Sequence, residues 1–115
     1  MERIFSASVR DLSGLVVIDL QGEINAFADQ ELSSAYDQAE SHDTRTIVLN
    51  FQEVGYINST GIALIVGLLA RARKTGRRMA VYGLSDHYRE IFHITRLADF
   101  MSIYTDEASL VAELG

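Results

Sequence analysis

Apolar residues in the first part of the chain follow the two-residue period of half-buried strands. From residue 5 to residue 10 they alternate with polar residues, which predicts a short strand. A turn at residues 11–14 separates it from residues 15–20, a run rich in β-branched side chains that residues 21–23 close. Two strands joined by so short a loop are expected to pair antiparallel.

The apolar spacing then lengthens to that of a helix. Asn25 is expected to cap a helix over residues 26–41 with one apolar stripe. The members of this stripe are Phe27, Leu32, Ala35, Tyr36 and Ala39. Residues 46–51 predict a strand at the centre of the sheet, reached through a right-handed crossover.

A second helix is predicted after a turn-like Gly55. It begins at Asn58 or Ser59 and ends near residues 74–76, with Gly76 just beyond its C-cap. The apolar face of this helix is unusually broad, so we expect it to pack on the sheet. This face comprises Ile62, Leu64, Ile65, Val66, Leu68, Leu69 and Ala72.

Alternation of strands and helices continues to the end of the chain. The predicted elements are a strand at 78–82, a helix at 87–94 capped by Ser85 or Asp86, an extended piece within 98–104, and a last helix to 114 capped by Thr105 or Asp106. The order β-β-α-β-α-β-α-β-α predicts an α/β fold. We expect a mixed sheet of about four to five strands packed by about four helices.

Composition limits the classes of function. A chain of 115 residues is expected to form one domain, residues 1–115. It contains no cysteine, which excludes disulfides and a cysteine nucleophile. The N-terminus lacks the apolar run of a signal peptide, and no apolar stretch reaches the length of a membrane span. We therefore expect a cytoplasmic protein without membrane insertion.

Charge is distributed unevenly along the chain. The net charge of −6 argues against a nucleic-acid partner. No Asp or Glu occurs from residue 54 to residue 85, yet a cluster of cations lies near the end of the second helix. These cations are Arg71, Arg73, Lys74, Arg77 and Arg78. They either complement the helix dipole or form a docking patch for an acidic partner.

Signals for catalysis are missing. Ser59 lacks the flanking glycines of a nucleophile elbow, and the chain has no phosphate-binding loop or dinucleotide fingerprint. His42, His87 and His93 have no metal-ligand spacing. We expect neither enzymatic activity, nor a cofactor, nor a bound metal.

Ser59 lies at the first turn of the second helix, and two roles are possible for it there. Its ordinary role there is to cap the helix, worth about 1 kcal/mol. Alternatively it accepts a phosphate, which the unpaired N–H groups and the helix dipole would tolerate. Charge added beside an apolar surface would then switch partner binding without unfolding the domain.

The ordered set of motifs resembles the STAS domain, in particular the small single-domain anti-sigma-factor antagonists of bacteria. The hallmark is Tyr56-Ile57-Asn58-Ser59-Thr60-Gly61-Ile62, preceded by Val17-Ile18-Asp19-Leu20-Gln21-Gly22-Glu23-Ile24 and Ile47-Val48-Leu49-Asn50-Phe51. The resemblance continues through residues 71–85 and 91–97.

The resemblance implies a phosphorylation switch on Ser59, with Thr60 as its hydroxyl neighbour. The unphosphorylated protein would bind a GHKL-type kinase that is itself an anti-sigma factor, phosphorylation would release it, and a PP2C-type phosphatase would reset the cycle in a bacterial stress-response cascade. The expected interaction surface is the Ser59 loop, the N-terminal half of the second helix and the neighbouring loop 22–27. Its expected partner-binding residues are Gly22, Glu23, Asn25, Asn58, Ser59, Thr60, Gly61 and Ile62.

The chain departs from the family pattern at two positions. Asn58 and Asn50 stand where the family most often has Asp, and both are expected to make the potential near the site less negative. The alternative function is a non-switching scaffold, either in a stressosome-type complex or as the partner of a lipid ABC transporter. A monomer or weak dimer is expected for the switch and a large assembly for the scaffold.

Overall fold

The computed structural model describes residues 5–12 and 14–115. Ser13, which belongs to the predicted 11–14 turn, and residues 1–4 of the predicted domain lie outside the described residues. The strands are β1 (Ser6–Leu12), β2 (Leu15–Ile24), β3 (Thr46–Ile57), β4 (Arg78–Tyr82) and β5 (Ser102–Tyr104). The helices are α1 (Asp29–Glu40), α2 (Ser59–Lys74), α3 (Asp86–Ile94) and α4 (Glu107–Leu114), with short 3₁₀ turns at Ala26–Ala28 and Leu97–Asp99.

The five strands form one mixed sheet in the order β1-β2-β3-β4-β5. β1 pairs antiparallel with β2, and the remaining neighbours are parallel. The predicted α/β class, the element order and the antiparallel first pair are confirmed. The central position of the third strand is confirmed as well. Because the parallel strands point the same way, their carboxyl ends meet at one edge of the sheet.

Two unequal layers cover the sheet. One face packs against α1, α2 and α3 in a continuous core that includes Ile18, Leu49 and Val81 from the strands. The other face carries α4 over a smaller apolar cluster centred on Val48 and Leu110. Connections between parallel strands that all run in the same right-handed sense place their helices on the same side, which accounts for the three-helix layer.

A polar network holds α4 to its face of the sheet. Arg10 donates to Asp19 (2.6 Å) and to Glu107, and the Tyr82 hydroxyl donates to Glu107 (2.7 Å). These hydrogen bonds from Arg10 and Tyr82 lower the pKa of Glu107. Burial opposes ionisation of Asp19, but hydrogen bonds from Arg10 and Asn50 lower its pKa overall. The carboxylates of Asp19 and Glu107 are therefore ionised in the network that holds α4 on the sheet.

Two strands are longer than the sequence pattern predicts. β2 continues through the predicted closing residues 21–23 to Ile24, and β3 continues past residue 51 to Ile57, so that Gly55 lies in a strand and not in a turn. Beyond Asp19 the two strands stay paired through register shifts on either side of Gly22. Such bulges break the two-residue period on which the sequence prediction depends.

Phe27 does not belong to the apolar stripe of α1. Asn25 caps the 3₁₀ turn by accepting the Phe27 N–H on Oδ1 (2.9 Å), and the α-helix begins only at Asp29. The tighter winding of a 3₁₀ turn rotates Phe27 away from the helical stripe. Its side chain is 92% exposed, whereas Leu32, Ala35 and Tyr36 are buried as predicted.

Candidate functional site

Asn58, and not Ser59, caps α2. The backbone of Asn58 is extended, its Oδ1 accepts the Gly61 N–H (2.8 Å), and its carbonyl accepts the Ile62 N–H (2.9 Å). The capping role considered for Ser59 is therefore wrong. Ser59 is the first residue of the helix, and both it and Thr60 are exposed. Their hydroxyl groups face solvent at the positive end of the helix dipole.

Gly61 allows α2 to begin directly against the end of β2. A Cβ atom at this position would lie 2.1 Å from the Ile24 carbonyl oxygen, a distance that no side chain tolerates. The same carbonyl accepts the Asn58 N–H (3.2 Å). The glycine that follows the two hydroxyl residues thus fixes Ser59 through backbone contacts to a buried strand.

Tyr88 of α3 secures the strand that leads into the site. Its buried hydroxyl oxygen accepts the Ile57 N–H (2.9 Å). Ile57 lies beyond Asn50, the last residue of β3 that pairs with β4, so its N–H needs another acceptor. A buried N–H without an acceptor costs about 1–3 kcal/mol. Three elements, β2, β3 and α3, therefore hold the segment before Ser59.

The chain around Ser59 carries no charged side chain from residue 54 to residue 70, and the carboxylate of Glu23 belongs to the strand that pairs with it, opposite Tyr56. Phe27 and Tyr56, 92% and 51% exposed, lie on the two segments that meet beneath the start of α2. The 3₁₀ turn that carries Phe27 contacts α2. Among the described residues, no acceptor is bonded to the backbone N–H groups of Ser59 and Thr60. The site thus combines free donors with exposed aromatic rings.

The structure places the predicted partner-binding residues in different roles. Asn58, Ser59, Thr60, Gly61 and Ile62 form the first turn of α2 and its cap, as expected. Gly22 and Glu23 lie within β2 instead of in a loop, and there they pair with Val54 and Tyr56. Asn25 follows the strand and caps the 3₁₀ turn. All eight positions are brought to the carboxyl edge of the parallel strands.

Asn50 does not contribute to the potential at this site, contrary to expectation. Its side chain donates to Asp19 Oδ1 (2.8 Å) and accepts the Gln52 N–H (2.9 Å) on the α4 side of the sheet. Ile57 lies seven positions further along the extended strand, roughly 20 Å away. Of the two differences from the family pattern, only Asn58 lies at the candidate site.

Sequence reasoning missed Tyr56 and Tyr88, and it placed Phe27 in the buried stripe of α1 while also including it in the expected 22–27 interaction loop. Phe27 lies eight residues before Ala35, so a helix that begins at residue 26 would carry it near the apolar stripe, and the Asn25-capped 3₁₀ turn exposes it instead. Tyr88 has the pattern of a core residue, and its bond to Ile57 joins residues 31 positions apart. Tyr56 precedes the buried Ile57 in the same strand, so the alternation of exposed and buried positions could have predicted from the sequence that its ring is exposed.

Residues for a metal site are not assembled in the described part of the chain, where no group of three or more His, Asp or Glu side chains is arranged to hold an ion. No helix among the described residues is long and apolar enough to cross a bilayer.

Comparison of this chain with known protein families identifies the domain. A family model for the STAS domain matches residues 6–110. The chain belongs to the STAS domain family. The family predicted from the sequence motifs is thereby confirmed. The matched range includes the whole sheet, the Asn58–Ile62 turn and all but the last turn of α4.

Relatives of this STAS domain carry names from sigma-factor regulation. The anti-sigma-B factor antagonist of Staphylococcus aureus is 30% identical over 86 residues, which cover 75% of this chain and 80% of that protein. An anti-sigma factor antagonist from Mycobacterium paratuberculosis has the same fold, with a TM-score of 0.82, 18% identity, and coverage of 96% of this chain and 94% of that one. The phosphorylated form of SpoIIAA, a Bacillus cell fate determinant, gives a TM-score of 0.70 at 22% identity, covering 93% and 98%.

Proposed function

We propose that this STAS domain is an anti-sigma-factor antagonist that works by partner switching. Unphosphorylated, it binds a GHKL-type kinase that is itself the anti-sigma factor and so frees the sigma factor. Phosphorylation on Ser59 releases the antagonist, and a PP2C-type phosphatase restores it. The protein has no catalysis of its own in this scheme. The names of its relatives in Staphylococcus aureus and Mycobacterium paratuberculosis support the role.

The observation that carries the proposal is the freedom of the Ser59 hydroxyl. Because Asn58 satisfies the Gly61 N–H, Ser59 is not needed to cap the helix. It is exposed, so a kinase has access to it. A serine that served as the cap would lose that bond on modification, whereas Ser59 accepts a phosphate without loss of a hydrogen bond that supports the fold.

The start of α2 is suited to the charge that a phosphate brings. Phosphoserine carries about −1.5 to −2 charge at neutral pH. The N–H groups of Ser59 and Thr60 and the helix dipole favour an anion at this position. No acidic residue follows in sequence until Asp86. We therefore expect the phosphorylated domain to keep its fold and its stability.

The effect on the partner follows from the exposed aromatic side chains. Phe27 and Tyr56 provide apolar surface that a partner would cover, and an interface of this kind excludes water from its centre. A phosphate enclosed there loses hydration without a matching cation. A shift from 1:99 to 99:1 needs about 5.5 kcal/mol, and loss of these contacts together with the buried charge supplies an effect of that order.

Phosphotransfer is tested with a purified GHKL-type kinase from the same organism, chosen from the neighbouring genes where one is encoded there. The purified domain is incubated with kinase and ATP, and its intact mass is measured. We expect one phosphate on the wild type and on Thr60→Ala, and none on Ser59→Ala. A phosphate that persists in Ser59→Ala, or a wild type that gains none, would contradict the assignment.

Partner binding is tested separately, with the unphosphorylated domain and the same kinase. Phe27→Ser is expected to weaken the complex roughly tenfold, because a large exposed aromatic ring is lost from the interface. The matched control is Ile94→Ser, which removes a side chain that is also exposed (69%) but lies at the end of α3. Equal weakening by both variants would argue against the proposed surface.

The alternative is a scaffold that does not switch. Asn58 favours it, since the chain has a neutral amide where switching relatives most often carry a carboxylate. Sedimentation of the purified protein separates the two functions. A large homo-assembly that does not change on incubation with kinase and ATP would support the scaffold and oppose the switch.

A further inference from the structure

The cations at the C-terminal end of α2 fall into two groups. Arg71 bonds Asp37 (2.6 Å) and Glu40 (2.9 Å), and Arg77 donates to the carbonyls of Thr44 (3.1 Å) and Glu40 (3.3 Å). These two arginines fasten α2 and the chain after it to the end of α1. They are occupied within the fold and are not available to a partner.

The other three cations are Arg73, Lys74 and Arg78, and none of them has an ion pair among the described residues. Lys74 and Arg78 extend into solvent, but Arg73 is placed by an aromatic ring. Its guanidinium carbon lies 4.9 Å from the centre of the Phe100 ring. A guanidinium whose face is stacked on a ring keeps its N–H edge free for a carboxylate.

A continuous groove runs beside this stacked pair. Its apolar part, a 180 Å³ cleft, is lined by Val66, Leu69, Ala70, Arg73 and Phe100. Its cationic part, 330 Å³, extends from Arg73 and Phe100 to Arg77, Arg78, Met101 and Ser102. We call the two parts together the α2–β5 groove. Val66 and Phe100 remain 44% and 51% exposed, so apolar surface in the groove is uncovered.

The groove contains one acidic residue, Asp99, which is paired with Arg96 (2.7 Å). Its local charge is therefore positive in a chain whose net charge is −6. Ser59 and Arg73 are 14 residues apart on one helix, roughly 21 Å at 1.5 Å per residue. The groove and the phosphorylation site are thus separate surfaces on a single rigid element.

We propose that the α2–β5 groove binds an acidic protein segment that carries a large apolar side chain. The apolar side chain fills the cleft beside Val66 and Phe100, and carboxylates of the same segment pair with Arg73 and Arg78. A nucleic acid fits less well, because the apolar cleft offers it no base-stacking platform beyond one ring already stacked on Arg73.

The test uses a fluorescein-labelled peptide of glutamates around a central phenylalanine, titrated with the full chain and followed by anisotropy. We expect saturable binding that weakens as salt is raised. The double variant Arg73→Glu/Arg78→Glu is expected to bind about tenfold more weakly. Phe100→Ser should weaken binding as well, and replacement of the central phenylalanine of the peptide by serine should have the same effect.

A matched double variant separates the groove from general charge. Arg45→Glu/Lys74→Glu makes the same change in net charge with two residues that line neither part of the groove, and we expect it to bind as the wild type does. Ser59→Asp should also leave peptide binding unchanged, so this result does not depend on the proposed switch. Circular dichroism checks that each variant is folded.

Several outcomes would overturn the proposal. They are absence of binding to the wild type, equal weakening by the two double variants, equal affinity for a glutamine version of the peptide, and displacement of the peptide by a single-stranded oligonucleotide at lower concentration than by the unlabelled peptide. A wild type that dimerises through the groove, with dimerisation lost in Arg73→Glu/Arg78→Glu, would assign the surface to a second copy instead.

Discussion

The two ends of α2 differ in their charge and in the contacts that hold them. The N-terminal end has no charged side chain from residue 54 to residue 70, and backbone contacts to Ile24 hold it. The C-terminal end carries five cations, two of which fasten it to α1. Its backbone closes in a Schellman motif, with Gly76 at φ 71° and the Arg77 N–H donating to the Ala72 carbonyl (2.8 Å).

The two ends therefore differ in how much one added phosphate would change their local charge. At the N-terminal end a single phosphate would change the charge of the helix terminus greatly, because no ionised side chain is present from residue 54 to residue 70. At the C-terminal end the same phosphate would change the local charge less, because five cations are already present there. A residue that works as a switch is best placed on a rigid segment with few charges of its own, and within α2 the charged side chains are confined to the last turn.

The largest effect is expected from Gly61→Ala. The added methyl group meets the Ile24 carbonyl at 2.1 Å, so α2 must move away from β2, and we expect the free energy of unfolding to fall by roughly 2–3 kcal/mol. Urea denaturation measures this change. The control is Gly67→Ala on the same helix, where a Cβ has nothing within 4 Å. It should raise stability by up to about 1 kcal/mol.

Opposite signs for these two glycine variants are the key result. If Gly61→Ala were as stable as the wild type, the close approach of α2 to Ile24 would not hold Ser59 in place, and the comparison of the two ends would lose its basis.

Tyr88→Phe tests the support that α3 gives to the N-terminal end. The substitution leaves the buried Ile57 N–H without an acceptor and should cost about 1–2 kcal/mol of unfolding free energy. Thermal and urea denaturation measure the loss. Tyr56→Phe removes a hydroxyl from an exposed ring and is expected to change stability by less than about 0.5 kcal/mol. Similar losses in both variants would speak against the Tyr88 bond.

Asn58 variants test the cap itself. Asn58→Ala should lower the unfolding free energy by about 1 kcal/mol, because the Gly61 N–H loses its acceptor. Asn58→Asp keeps the acceptor and places a carboxylate at the positive end of the helix dipole, so near neutral pH we expect a gain of about 0.3–1 kcal/mol.

The gain from Asn58→Asp should depend on pH with a definite sign. The helix N-terminus lowers the pKa of the introduced carboxyl in the folded state below its unfolded value of about 3.9. The stabilisation is therefore present above that pH and disappears as the pH falls through the folded pKa. Urea melts of the variant and wild type across this range measure it, and a difference that grows on acidification would refute the cap geometry.

The smallest effect is expected at the C-terminal end, from Arg71→Gln. Its partner Asp37 is exposed and its partner Glu40 is half-buried at the surface, so screening keeps the loss below about 1 kcal/mol. The difference from the wild type should shrink as salt is raised, which denaturation at low and high ionic strength measures. Phosphorylation of Ser59 should be unchanged. A large loss that salt does not alter would mean that packing of Arg71 on the Tyr36 ring, at 4.4 Å, dominates.

Much of the fold was accessible from the sequence because its elements are local. Period-two and helical spacing gave the order of strands and helices, and Gly76 marked the end of α2. The errors occurred where long-range strand pairing or a tight local turn overrides the pattern. Residues 21–24 and 52–57 are strand only because β2 and β3 remain paired through register shifts. Phe27 is exposed only because Asn25 stabilises a 3₁₀ turn before α1.

The sequence by itself determined the α/β class, the family and the placement of Ser59 at a helix start, because each depends on the order and spacing of neighbouring residues. The structure chose Asn58 over Ser59 as the cap through a local bond to Gly61. Tertiary contacts alone decided that Gly61 touches Ile24, that Tyr88 secures Ile57 and that Arg73 stacks on Phe100 while Arg71 and Arg77 are bound to α1. These are contacts between residues far apart along the chain. Only the packed sheet and helices bring such residues within bonding distance.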